Sequence, residues 1–142
     1  MKNEALCPRH EHRRIRAAAK PDLPQSSKSL PPDAPVLTTI ITVGQDLSGW
    51  LPACRRAPDR QSRMQAYARL QRSQEFYRRI DCLPFDESAA AIFDQLRGMR
   101  IRVGTNDLAI AAVTLSVAGV LVTRNTVDFE RIPGLTVEDW TV

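Results

Sequence analysis

An α/β fold is predicted for this chain, and three stretches predict it. Val36 to Val43 (VLTTIITV) is a β-branched run suited to a buried strand. Leu108 to Ala118 is an almost wholly apolar run of helical length, ended at Gly119. Val120 to Thr123 is a second short apolar, β-branched strand directly after it.

The first 33 residues show neither period. Arg, His, Lys, Pro and Ser dominate, and Pro21, Pro24, Pro31 and Pro32 favour an extended, poorly packed segment. Residues 1–33 are therefore expected to be a disordered or atypical basic segment, and 34–142 the folded domain. Cys7, His10 and His12 lack a fourth ligand at a recognisable spacing, so a metal cluster is not expected there. A basic RNA-binding arm is disfavoured, because residues 1 to 20 lack interleaved aromatics.

The strand read over Val36–Val43 leads through Gly44, Gln45 and Asp46 into an amphipathic run at Leu47, Trp50 and Leu51, interrupted at Pro52. Asp59 is the expected N-cap of a helix reaching about Arg79. That helix carries a ragged apolar stripe among many arginines, which reads either as an RNA-facing or partner-facing helix or, more simply, as a solvated charged face over one packed stripe. Asp81–Phe85 reads as a short strand. Asp86 caps the next helix, with Ala89, Ile92, Phe93 and Leu96 at helical spacing. Thr136 to Trp140 supplies a last strand.

Composition narrows the function classes. A chain of 142 residues suits one domain, and a net charge of +4 is compatible with RNA or with an acidic peptide. Three widely spaced cysteines indicate neither a disulfide framework nor a zinc site. No apolar run approaches the ~20 residues that span a bilayer, and no signal peptide is evident, so a cytoplasmic location without membrane contact is expected.

Element lengths locate a candidate site. Asn106 to Ala118 spans about 20 Å as a helix. Val120 to Asn125 spans about 20 Å as a strand. A strand packed back along that helix returns its C-terminal end to the helix N-terminus. Asp107, Asn125 and Asp128 then meet at one end of the sheet, where open α/β sheets bind ligands. Thr105 or Asn106 is the expected helix cap, and the helix dipole favours an ionised Asp107. Carboxylates among other oxygen donors suit Mg²⁺ or Mn²⁺.

The motifs N-D-L-x-I-A-A, L-V-T-x-N-x-x-D-F and P-G-L-x-x-E-D-W, in this order, resemble the C-terminal half of PIN-domain proteins, the VapC-type toxins of toxin–antitoxin pairs in particular. The resemblance implies a three-layer α/β/α sandwich with a central, mainly parallel sheet. It also implies an Mg²⁺-dependent (or Mn²⁺-dependent) endoribonuclease, an RNA substrate, a cognate antitoxin and a homodimer. Asp107 and Asp128 match catalytic, metal-binding acids, and Asn125 matches a metal position that is Asp or Asn. Thr123 accompanies the site, and Arg102 and Arg124 are candidates for holding RNA.

Two departures temper the expected activity. The second site acid of a T-x-x-E motif corresponds to Gln45, a weaker ligand, with Asp46 its only acidic neighbour. The first strand, with its L-D-T-N motif, is missing or altered. Pro8 to Arg13, read one nucleotide out of frame, permits Leu-Asp-Thr-Asn-Ile-Val. That points to a frameshift, with the family frame restored near Ser29 to Ala34. Coding DNA that lacks the motif in the shifted frame rules this out. Impaired cleavage is one expectation; the alternative is a catalytically inactive PIN remnant that binds an antitoxin or PIN-like partner.

Overall fold

The computed structural model describes residues 16–17 and 35–139. The expectations for the rest of 1–33, including Pro8–Arg13 and the Cys7, His10 and His12 group, lie outside the described residues, as does Trp140. In chain order the elements are β1 (Arg16–Ala17), β2 (Val36–Thr39), α1 (Ile40–Arg56), α2 (Arg60–Tyr77) and β3 (Asp81–Leu83), then α3 (Glu87–Gly98), α4 (Thr105–Ser116), β4 (Val120–Val122), α5 (Thr126–Phe129) and β5 (Thr136–Glu138).

The strands form one sheet in the order β3-β2-β1-β4-β5, and every pairing is parallel. One row runs straight across it: Asp81, Leu37, Ala17, Leu121 and Val137. With helices packed on it the chain is the expected α/β/α sandwich. The central lane is altered rather than empty. Arg16 and Ala17 fill it, although their sequence carries no strand period. Backbone N–H and C=O groups make that pairing, so it does not depend on side-chain pattern.

Two boundaries differ from the sequence reading. The strand expected over Val36–Val43 stops at Thr39, and Ile40–Val43 are helical. Thr39 is the N-cap: its Oγ1 accepts the Thr42 N–H at 3.1 Å and lies 2.9 Å from Thr42 Oγ1. This local side-chain bond outweighs the β preference of the following isoleucines. The helix also continues through Pro52, against the expected interruption. An interior proline removes one intrahelical bond and crowds the carbonyl four residues back, and packing of α1 against α2 offsets that cost. Ser73 donates to the Asp46 carboxylate, and the Arg69 guanidinium lies 6.0 Å from the centre of the Trp50 ring.

The other caps follow expectation. Asp59 accepts from Ser62 N–H at 2.7 Å and from its hydroxyl at 2.9 Å, which holds its carboxyl below the ordinary 3.8. Asp86 accepts the Ala89 N–H at 2.9 Å.

Helix α4 is the centre of the core. Leu108 to Thr114 are all buried without a break. Leu108, Ile110, Ala111 and Ala112 join Leu96, Leu121, Phe129 and Ile132 in one cluster, and Val113 joins Leu37, Leu83 and Ala89 in another. Its termini correct two details of the sequence reading. The N-cap is Gly104, whose carbonyl accepts Leu108 N–H at 2.9 Å, while Thr105 and Asn106 already lie inside the helix. At the other end Gly119 N–H reaches the Thr114 carbonyl at 3.0 Å and Ala118 N–H the Leu115 carbonyl at 3.1 Å. This pairing places a left-handed residue before the glycine. That residue is Ala118, with φ of 50°, not Gly119.

Candidate metal centre

In a parallel sheet all strand C-termini share one edge, and the helices that follow begin there. Thr39 leads into α1 at that edge, and β4 leads through Thr123, Arg124 and Asn125 into α5. Three residues, Val117 to Gly119, turn α4 into β4, so α4 runs back along the sheet and its N-terminus returns to the same edge.

Two of the predicted residues meet directly. Asn125 precedes the single turn of α5, and its Nδ2 donates to Asp128 Oδ2 at 3.0 Å. Thr123 supports them: its Oγ1 accepts the Asn125 N–H at 3.1 Å, while its own N–H donates to the Glu138 carbonyl at 3.0 Å. The first bond shapes the turn, and the second ties it to β5.

Asp107 lies in the first turn of α4 and is half-buried. Its neighbour Leu108 and Phe129, the neighbour of Asp128, belong to one buried cluster. Arg131 adds a polar link between the two segments. Its Nη1 donates to the Arg102 carbonyl at 3.1 Å and lies 4.0 Å from Asp128 Oδ1. Arg131 was missed in the sequence, although its place three residues after Asp128 is the spacing at which helical side chains meet. The side chains of Arg102 and Arg124 are exposed.

Gln45 lies in the second turn of α1, not at a strand end. With Asp46, Gly49 and Trp50 it lines a cavity of ≈410 Å³. Asp46 is engaged by Ser73 of α2. Adjacent helical residues point about 100° apart, so an acid at 46 does not replace one at 45.

The donor set suits a hard cation. Carboxylate and amide oxygens are the ligands of Mg²⁺, which keeps several waters and is commonly bound by one or two carboxylates. Among the described residues no group of three or more His, Cys, Asp or Glu side chains comes together as a metal cluster. Asn125 and Asp128 are in contact, and Asp107 stands in the first turn of α4.

An α/β/α sandwich on a five-stranded parallel sheet is the architecture of the PIN class. The chain is 42% identical over 69 residues to the tRNA(fMet)-specific endonuclease VapC of Shigella flexneri, and 41% identical over 69 residues to the Salmonella typhimurium protein of the same name. These matches cover 46% of this chain and 52% of each relative, so the chain spans about half the length of the curated relatives it matches. Among solved structures it resembles the DNA-bound VapBC of Salmonella typhimurium, with 30% identity, a TM-score of 0.58, and 74% of this chain and 75% of that one covered. It also resembles VapBC-5 of Mycobacterium tuberculosis, from the VapBC family of toxin–antitoxin systems, with 28% identity, a TM-score of 0.59, and 90% and 98% covered. No protein-family model matches the chain. The chain belongs to the VapC-type PIN-domain family.

Proposed function

We propose that this chain is a divalent-metal-dependent endoribonuclease toxin that cleaves RNA at the Asp107 and Asp128 centre, with cleavage weakened by Gln45. The observation that carries this reading is the polar chain from Asn125 through Asp128 and Arg131 to the loop that opens α4. It joins the two sequence segments that bear the acids. Relatives named as tRNA endonucleases and as toxin–antitoxin complexes support the substrate class and a protein antitoxin as partner. A homodimer in the cytoplasm completes the proposal. Among the described residues no helix is long and apolar enough to cross a membrane.

Asp107 and Asp128 would hold Mg²⁺, with Asn125 beside them. When bound, the ion supplies a water of lowered pKa and offsets charge on the phosphate. Asn125 holds Asp128 in one orientation, and the exposed Arg102 and Arg124 draw the RNA backbone toward the edge by charge.

A second reading, a non-catalytic member that binds only an antitoxin or PIN-like partner, is favoured by two facts together: position 45 is Gln, and the neighbouring Asp46 carboxylate already accepts from Ser73. Mg²⁺-dependent cleavage of initiator tRNA by the purified chain separates the two. Weak cleavage is expected from the chain as it stands, and none from Asp107→Asn or Asp128→Asn. Gln45→Glu should raise Mn²⁺ affinity and cleavage roughly tenfold, since affinity follows ligand charge. Cleavage that survives Asp107→Asn refutes the assignment. Inactivity of both the wild type and Gln45→Glu, with a small protein co-purifying, establishes the second reading.

A further inference from the structure

The geometry points to Arg131 as a positioning residue that fixes the Asp128 carboxylate against the loop leading into α4, where Asp107 stands; this rests on the metal-centre reading above. Three contacts carry it. Asp128 Oδ2 accepts a hydrogen bond from Asn125 Nδ2 at 3.0 Å, and Oδ1 lies within ionic range, 4.0 Å, of Arg131 Nη1. The same Nη1 donates to the Arg102 carbonyl at 3.1 Å, 29 residues away in sequence. Arg102 stands two residues before Gly104, the N-cap of α4.

The planar guanidinium turns one nitrogen toward the Arg102 carbonyl and the Asp128 carboxylate together, whereas a lysine ammonium on its flexible stem has no fixed plane to hold that geometry. Stability alone does not account for the arrangement. The Arg131 and Asp128 side chains are 50% and 40% exposed, and exposed ion pairs contribute little. The three contacts instead restrict where Asp128 sits relative to the start of α4. Groups that orient a metal-binding carboxylate act in this way, and their loss typically weakens metal binding about tenfold or more.

The test is Mn²⁺ binding to the full chain by calorimetry, with the melting temperature of the metal-free protein measured alongside. Arg131→Ala and Arg131→Lys should both weaken Mn²⁺ binding about tenfold. Both should keep the melting temperature within about 4 °C of wild type, as befits the loss of an exposed pair. A role through charge alone predicts the opposite sign. Removing a cation beside a cation site strengthens Mn²⁺ binding in Arg131→Ala and leaves Arg131→Lys unchanged; either result overturns the inference. A large drop in melting temperature in both variants assigns Arg131 to folding and overturns it too. Failure of the metal-centre reading is visible separately. Wild type then binds no Mn²⁺, or Asp107→Asn and Asp128→Asn bind it as tightly as wild type, and the Arg131 role falls with it.

Discussion

Lanes β1 and β4 are neighbours in one sheet, yet only β4 carries an apolar pattern that marks it as a strand. β4 contributes Val120, Leu121 and Val122, all buried, and it follows a helix buried from Leu108 to Thr114. Its place is set by apolar side chains as much as by hydrogen bonds. β1 contributes only Arg16 and Ala17, with parallel partners on both sides. What is described of it is backbone pairing, which any extended segment without proline can make. A sheet therefore has two kinds of lane, one legible in sequence as hydrophobic pattern and one legible only as a gap that its neighbours leave.

The largest expected effect tests the patterned lane. Leu121→Ala removes a side chain with no exposed surface and should cost about 2–5 kcal/mol, measured by urea unfolding. Ala17→Pro tests the other lane. It deletes one N–H from a strand paired on both sides and should cost about 1–3 kcal/mol through the acceptor left unpaired. A variant as stable as wild type shows that the lane is not held by these two residues, and that the domain supports itself from β2 onward. The smallest effect has the opposite sign. Ala118 sits at φ of 50° in the turn that aims β4, so Ala118→Gly should stabilise by up to about 1 kcal/mol. No gain would mean that the turn costs little, and that β4 is placed by its core contacts alone.

The site divides along the same line. Asp107, Asn125 and Asp128 were readable as positions, because matching lengths of helix and strand return both segments to one edge; the contact between Asn125 and Asp128 is local, three residues apart at a single turn. Gln45 and Asp46 were readable as positions but not as geometry. A β-branched run concealed the point where Thr39 starts a helix, and a helix turns successive residues about 100° apart. The engagement of Asp46 by Ser73 links α1 to α2 across 27 residues of sequence, which no local pattern reports.

By itself the sequence determined the alternation of helices and strands, the caps at Asp59 and Asp86, and the buried character of α4. Those depend on side chains acting within a turn or along one face. Only the tertiary structure decided which segment occupies the central lane, that Gly104 rather than Thr105 or Asn106 caps α4, and that Arg131 reaches from the turn after α5 to the Arg102 carbonyl. Each of these is a hydrogen bond to a main-chain group. Every residue except proline offers the same main-chain donor and acceptor, so their partners are chosen by where the folded chain brings them.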